Sequence, residues 1–319
     1  MNKSEIDQNI IERIKKLEEK YSVMGQDMTS YLDGLLYADY LKYWDYINLD
    51  SLLGLQQPKT HFKDEMIFIV YHQITELYFK LVRWEMEQIH NHEHPDAGFF
   101  AERLQRINNY FEHLCHSFSI MTEGMEKQQF LKFRMSLLPS SGFQSAQYRM
   151  IEIGATDMIN LVHLSKRDEM DAYAAIDELY DSIYWKEGAT ELATGKKTLT
   201  LRHFEEKYSE EFIRLGEATK STNFYRLWMA HYKEGADELK VLLRKFDILA
   251  NVEWPLSHYK SAVRYLQKDP EDIKATGGTN WQKYLPPRFQ KVIFFPELWS
   301  AKEQQEWGKG WVMKQLSGS

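Results

Sequence analysis

The chain has 319 residues, with 47 acidic and 40 basic side chains, a formal net charge of −7 and one cysteine, Cys115. The length fits one large domain with an ample core, the acidic balance argues against a nucleic-acid partner, and a single cysteine excludes an internal disulfide framework. Because no apolar run has the length of a signal peptide or a membrane span, we expect a soluble, cytoplasmic protein with no membrane partner.

The first predicted element is an N-terminal helical arm, residues 1–30. Its apolar residues recur at helical spacing, with charged residues on the other faces: Ile6, Ile10, Ile14 and Leu17. We expect this arm to pack on another helix or on a second subunit. The following stretch, 31–55, is rich in Tyr and Leu and predicts a helix followed by a loop.

The chain is organised around a predicted helix at 64–88. Its apolar residues lie on nearly all faces, so most of the helix is expected to be buried. His72 interrupts this pattern and shares a face with Glu76, four residues later. Periodicity alone leaves two interpretations of His72 open, a hydrogen-bonded core residue or a functional histidine.

The rest of the chain continues the helical pattern. Leu104 to Phe118 predict a helix antiparallel to the central one, and the alternate histidines at 90, 92 and 94 favour a polar helix end over a metal site. Further helices are predicted at 129–138, 143–153, 168–185 and 225–250, and an exposed loop at 186–200. With almost no strand pattern and no long linker, residues 1–319 are predicted to form one all-α domain.

Two further positions have surroundings that indicate chemistry. Arg134 stands among aromatic residues, where a guanidinium could clamp a carboxylate or form a salt bridge to a neighbouring helix. His258 follows Pro255 on a predicted helix, and small residues one turn later leave room for a flat group against the imidazole, as a haem ligand requires. The loop at 276–278 lacks the lysine of a phosphate loop, and its glycines favour a flexible cover.

Several stretches together resemble one known family. The run 64–73, Asp-Glu-Met-Ile-Phe-Ile-Val-Tyr-His-Gln, closely resembles the haem-dependent tryptophan 2,3-dioxygenase family. Phe133–Arg134 and the stretches 139–145, 254–258, 276–278 and 294–298 follow in the family's order, so the resemblance spans residues 36–298. It implies long antiparallel helices around a haem b pocket, in a homotetramer expected to be a dimer of dimers.

The resemblance also implies residue roles. His258 would be the axial ligand of the haem iron, with Ser141 and Gly142 over the distal haem face. His72 would lie near the indole nitrogen as an acceptor or base. The residues expected to bind the substrate are Tyr37, Tyr40, Phe68, Ile69, Val70, Tyr71, His72, Phe130, Arg134 and Thr276. Among them, Arg134 would bind the carboxylate, Thr276 the ammonium, and the two N-terminal tyrosines would reach a neighbouring subunit's pocket.

The implied reaction inserts both atoms of O2, the co-substrate, across the indole C2–C3 bond of L-tryptophan at ferrous haem. Its product is N-formyl-L-kynurenine, and the reaction is the first step of tryptophan catabolism by the kynurenine pathway.

Departures from the family pattern leave alternatives open. Tyr78, Ser257 and an apparently inserted stretch at 42–50 differ from it. One alternative is a relative that acts on a substituted tryptophan or indole, or that inserts a single oxygen atom. The others are a haem-binding sensor or carrier, which needs His258 but not Arg134, and a catalytically silent helical scaffold, which needs neither.

Overall fold

The computed structural model describes residues 7–38, 42–93, 95–134, 142–190, 196–265 and 287–308. These residues are largely helical and form no β-sheet, since their extended pairing is limited to two isolated bridges, Val162–Ile183 and Thr190–Lys197. The predicted all-α class is confirmed. None of the helices in these ranges has both the length and the apolar character that a membrane span requires.

The chain divides into two compact units, Met1–Gln56 and Gln57–Ser319. The first unit contains α1 (Gln8–Val23), α2 (Met28–Leu36), α3 (Tyr43–Tyr46) and α4 (Leu49–Leu53). Asp7 and Asp27 cap α1 and α2 by accepting backbone N–H groups at 2.9 and 3.0 Å. No described residue of this unit is buried, so its apolar side chains remain at the surface. The prediction of a single domain over residues 1–319, with an N-terminal arm at 1–30, stays a prediction.

The second unit contains all the remaining elements. Its α-helices are α5 (Asp64–His90), α6 (Ala97–Ser117), α7 (Ser119–Glu123), α8 (Lys127–Phe133), α9 (Ala146–Ala155), α10 (Met158–Leu161), α11 (Leu164–Arg167), α12 (Ile176–Asp181), α13 (Tyr184–Glu187), α14 (Leu199–Thr219), α15 (Phe224–Leu227), α16 (Asp237–Ile248), α17 (Trp254–Tyr265), α18 (Pro287–Gln290) and α19 (Ala301–Gln305). Two turns are π-helical, Trp228–Tyr232 and Leu249–Glu253, and two are 3₁₀-helical, Gly142–Gln144 and Pro296–Leu298.

Helices α5 and α6 run antiparallel, as predicted. Arg103 near the start of α6 bonds Gln88 near the end of α5, whereas Ser117 at the end of α6 lies 3.3 Å from the Tyr71 hydroxyl. Asp96 starts α6 by accepting the Phe99 N–H at 2.8 Å. Buried aromatic and aliphatic side chains fill the space between α5, α6, α9 and α16, among them Phe79, Phe111, Leu114 and Phe246. Each contributes about 1.5–3 kcal/mol through burial, which fixes the helices that carry the site.

Helix α5 is less buried than predicted. Its inner face is buried, but Met66, Ile74, Leu77, Leu81 and Trp84 are exposed. Apolar residues on all faces therefore do not mean burial on all faces here, because α5 packs against α6, α8 and α9 and presents another side outward.

Several other predicted elements differ. The helix predicted at 168–185 is two short ones, α12 and α13, and that at 225–250 is interrupted by the Trp228–Tyr232 π-turn and a bend before α16. The loop at 186–200 begins inside α13, and its described part is not uniformly exposed, since Lys186 and Ala189 are buried. Residues 191–195 of that loop lie outside the described ranges.

Candidate active site

His72 lies on α5, one turn after Phe68. Its Nδ1 is 2.7 Å from the Phe68 carbonyl oxygen, and because a carbonyl only accepts, Nδ1 carries the proton and Nε2 carries the lone pair. The ring is exposed to solvent, yet protein surrounds it closely enough to lower its pKa. Burial is the main cause of this shift, and the Phe68 carbonyl and Glu76 oppose it. His72 is therefore a neutral acceptor that solvent can reach.

His258 lies on α17 with the same hydrogen-bond pattern. Its Nδ1 donates to the Trp254 carbonyl at 3.1 Å, which leaves the Nε2 lone pair for a ligand bond. The rings of Phe118 and Trp254 flank the imidazole, with centroids 4.6 and 4.4 Å away. Burial lowers the pKa of His258 to about 4, and His72 and Arg149 contribute to the lowering. The two histidines thus lie near enough to influence each other electrostatically.

Aromatic residues line the region around His72. The Phe68 ring lies 4.0 Å from the His72 ring, 6.3 Å from Phe130 and 5.7 Å from Phe133. Ile69 and Val70 are half-buried beside Phe68 on the same helix. Tyr71 is fully buried against Phe118, and its hydroxyl contacts Ser117, so it packs into the core.

The other predicted site residues are placed as follows. Arg134 ends α8, partly buried, with its guanidinium 5.9 Å from the Phe130 ring, which puts it on the same wall as Phe68. Gly142 opens a 3₁₀ turn, and Tyr37 belongs to the N-terminal unit, where it is 82% exposed. Tyr40, Ser141 and Thr276 lie outside the described residues. The structure thus brings together His72, Phe68, Phe130, Arg134 and His258.

The alternate histidines after α5 form no metal site within the described part of the chain. His90 is bonded to the Gly154 carbonyl at 3.1 Å and packs against Phe224, while His92 packs on Phe99. His94 lies outside the described residues. No group of three or more potential metal-binding side chains occurs in the described ranges.

The sequence interpretation missed how Glu76 is held. Its carboxylate and its own backbone carbonyl both accept from Gln147 Nε2, at 2.9 and 2.8 Å. The sequence pattern shows only that Glu76 shares a helix face with His72 and indicates no partner from another helix. Because Gln147 follows the Ser145 cap of α9, the start of α9 fixes a carboxylate one turn after His72.

A buried charge network beside the site was also missed. Arg149 on α9 donates to the Tyr184 hydroxyl at 2.8 Å and pairs with Glu152 at 2.9 Å. Burial alone would lower the pKa of Arg149, but Glu152, Tyr184 and Tyr148 together outweigh burial and raise it. Burial raises the pKa of Glu152, and Arg149 and Tyr184 offset only part of this. The buried Arg149 Nε atom makes no hydrogen bond within the described residues, which leaves one donor of a permanent cation unused.

Two cavities open elsewhere among the described residues. One, of about 410 Å³, lies between α6 and α16, where Lys245 pairs with Glu112 at 2.8 Å and Arg244 pairs with Glu303 at 2.7 Å. The other, of about 440 Å³, lies beside α14, where Arg226 is bound to Asp157. These six charged side chains are paired with one another within the described residues.

Comparison with known proteins points to one family. The family model described as tryptophan 2,3-dioxygenase matches residues 33–167, which include His72 and Arg134. Proteins named tryptophan 2,3-dioxygenase are similar over most of their length. That of Polaromonas naphthalenivorans is 28% identical over 270 residues, or 82% of this chain and 91% of the relative. Those of Ruegeria sp. and Bradyrhizobium diazoefficiens are 28% and 29% identical, over 83% and 82% of this chain and 93% and 92% of theirs. The resemblance predicted from the motifs is confirmed: over most of its length this chain is similar to proteins named tryptophan 2,3-dioxygenase.

Proposed function

We propose that the chain is a haem-dependent tryptophan 2,3-dioxygenase, an oxidoreductase that converts L-tryptophan and O2 into N-formyl-L-kynurenine. One observation carries the proposal: two neutral histidines, His72 and His258, lie near enough to interact electrostatically, and both Nδ1 atoms are fixed by carbonyls one turn earlier. Each Nε2 atom is then available for chemistry. His258 can then bind an iron ion while His72 accepts a hydrogen bond. The similarity to tryptophan 2,3-dioxygenases indicates which reaction the two histidines serve.

The residues present fit a haem group. His258 is neutral well below pH 7, because its pKa is lowered to about 4, and a neutral imidazole is the form that binds iron. Phe118 and Trp254 pack against the ring, and the unbonded Nε atom of the buried Arg149 suits an anionic group. Ferrous haem, when bound, supplies the reactivity toward O2 that side chains lack.

The protein's own residues would bind and orient the amino acid. Phe68 and Phe130 offer aromatic surfaces for the indole, and His72 Nε2 can accept its N–H. Arg134, beside Phe130, would hold the carboxylate through two parallel hydrogen bonds, and Thr276 would hold the ammonium. Fixing the substrate at both ends of its amino-acid group supplies orientation, a large share of catalysis in a reaction of this kind.

We also propose that the enzyme is a cytoplasmic homotetramer, arranged as a dimer of dimers. Exposed apolar side chains support association: those of the N-terminal unit include Leu35, Leu36, Tyr37, Tyr43 and Tyr46. Patches of this kind mark protein–protein interfaces. In the tetramer, Tyr37 and Tyr40 would reach a neighbouring subunit's pocket.

A single assay tests the proposed function. Haem-loaded, reduced protein is given L-tryptophan under ¹⁸O2, and the product mass is measured, with the His258→Ala variant as the matched control. We expect a product that contains two ¹⁸O atoms, formed only by the unchanged protein. Gain of one atom would show a mono-oxygenating relative instead, and a spectral change without product would show a haem sensor.

A further inference from the structure

The helix that carries His258 follows directly on a π-turn. Helix α16, the Leu249–Glu253 turn and α17 form one continuous helical run. Within it the Trp254 N–H bonds the Leu249 carbonyl, five residues earlier, where an α-helix would use Ala250. One extra residue in a turn rotates everything after it by about 100° relative to an uninterrupted α-helix. The π-turn therefore decides which way His258 faces.

Pro255 explains why the helix widens at this point. Proline has no N–H, and inside an α-helix its ring clashes with the carbonyl four residues earlier, which here is that of Asn251. Pro255 lies inside the helical run, with helical residues both before and after it. Ala250 is left short of donors, because Trp254 bonds Leu249 and Pro255, five residues later, has no N–H to give.

The Tyr148 hydroxyl supplies the missing donor. Tyr148 lies on helix α9, and its hydroxyl donates to the Ala250 carbonyl oxygen at 2.7 Å. Both groups are buried. Burial is the main reason that the pKa of Tyr148 is raised well above its ordinary value, so the hydroxyl keeps its proton at neutral pH. Asn251, in the same turn, donates to Asp247 at 2.8 Å. A buried carbonyl that accepts no hydrogen bond costs free energy. In an α-helix the Trp254 N–H would bond Ala250, so the Tyr148 contact relieves this cost only while the turn keeps its π form.

We propose that Tyr148 is a positioning residue for His258: by replacing the donor that Pro255 lacks, its hydroxyl holds the π-turn in the form that aims the imidazole into the site. The inference rests on the proposed function, in which His258 binds haem. Tyr148 itself touches neither reacting atoms nor His258. It acts through Ala250 and the turn that ends at the Trp254 carbonyl, to which His258 Nδ1 is bonded.

The test compares Tyr148→Phe with Tyr180→Phe. Tyr180 is an equally buried tyrosine whose hydroxyl lies 3.0 Å from Ser209, remote from the π-turn. Haem affinity is measured by titration of the Soret band, and the iron–histidine stretching band by resonance Raman spectroscopy of the ferrous protein. We expect Tyr148→Phe to weaken haem binding by about five- to tenfold and to shift or broaden the band. Tyr180→Phe should match the unchanged protein in both.

A second variant makes the test sharper. Pro255→Ala removes the cause of the widening, so the turn can take the α form, and this variant should also weaken haem binding and shift the band. Tyr148→Phe behaving like Tyr180→Phe, or Pro255→Ala leaving the band unchanged, would overturn the proposed role. His258→Ala separates this failure from failure of the proposed function. If haem binding and the band survive without His258, the haem ligand itself is wrong.

Discussion

His258 and His90 are chemically alike but differently used. Burial lowers the pKa of each to about 4. His90 uses its Nε2 atom in a hydrogen bond with the Gly154 carbonyl. A Cβ atom added to Gly154 would lie 2.9 Å from the His90 ring, so no free space remains between them. His258 is bonded through Nδ1 instead and stays partly accessible. A low pKa therefore does not distinguish the proposed haem ligand from a core histidine, whereas the choice of bonded nitrogen does.

Replacing the two histidines should separate these roles. We expect His258→Ala to lose stable haem and all activity, because no other nitrogen takes the place of Nε2. His90→Gln is the matched control and should keep haem, since an amide can still donate toward Gly154. Soret absorbance after haem reconstitution measures both. Full haem occupancy in His258→Ala would contradict the assignment.

His72 should affect turnover without affecting haem. We expect His72→Ala to keep the Soret band and to slow kcat by about ten- to a hundredfold, through loss of the acceptor near the indole nitrogen. Since burial lowers the pKa of His72 below its ordinary 6.5, the neutral form persists through neutral pH. The unchanged protein's rate should thus be level from pH 7 to 8 and fall only below about pH 6.5. A midpoint above pH 7 would be inconsistent with this environment.

One buried carboxylate, that of Asp247, joins the C-terminal segment, residues 294–299, to helix α16. Asp247 accepts the backbone N–H groups of Phe294 and Phe295 at 3.0 and 3.2 Å, and Trp299 Nε1 at 2.9 Å. It also accepts from Asn251 in the π-turn. Burial raises its pKa to about 6, because four donors offset only part of the desolvation. Asp247 thus fixes both the C-terminal segment and the turn before His258.

Removing this carboxylate should be strongly destabilising. We expect Asp247→Ala to lower the free energy of unfolding by roughly 3 kcal/mol or more at pH 7, since four buried donors lose their acceptor. Asp237→Ala is the control on the same helix. Its side chain is 92% exposed and pairs with Lys240, so its loss should cost less than about 0.5 kcal/mol. Urea unfolding followed by circular dichroism measures both, and equal effects would refute the anchoring role.

The effect of Asp247→Ala on the free energy of unfolding should also depend on pH. The folded pKa of Asp247 is raised from 3.8 to about 6, so the folded state holds this proton more tightly than the unfolded state does. That stabilisation is full below pH 3.8 and is lost as the pH rises through 6. The difference in unfolding free energy between the unchanged protein and Asp247→Ala should therefore widen as the pH is lowered from 7 toward 4. His90 and His258 act the other way in both proteins, because their lowered pKa values remove stability as the pH falls below 6.5.

Local patterns in the sequence were sufficient for α5 and α6. The acidic first turn of α5 and the spacing of Leu104 to Phe118 predict both helices and their antiparallel packing, because those signals lie within single elements. The region of His72 and His258 was predicted from motif order. Asp247 could not be predicted as an anchor, since three of its donors come from 47 to 52 residues away. Periodicity likewise cannot show which apolar face of α5 stays exposed.

At the scale of the whole molecule, the exposed apolar residues need an explanation. On α5, Ile74, Leu77, Leu81 and Trp84 follow one another at spacings of three and four, which puts them on one helix face. The residues of the N-terminal unit that the structure describes add further exposed apolar surface. A continuous apolar helix face of this length is usually covered by a partner, and the proposed tetramer would supply one from identical chains.

Charge placed on this face should therefore break the assembly without unfolding the chain. We expect the unchanged protein to have a solution mass of four times the chain mass of 38.0 kDa, and Leu81→Glu to lower it. Tyr173→Glu is the control, because Tyr173 is 83% exposed but lies in the loop before α12. Light scattering with size-exclusion chromatography gives the masses, and circular dichroism checks that helix content is kept. An unchanged protein that is already monomeric would contradict the tetramer, whereas a tetramer that tolerates Leu81→Glu as well as Tyr173→Glu would mean that the face of α5 lies outside the interface.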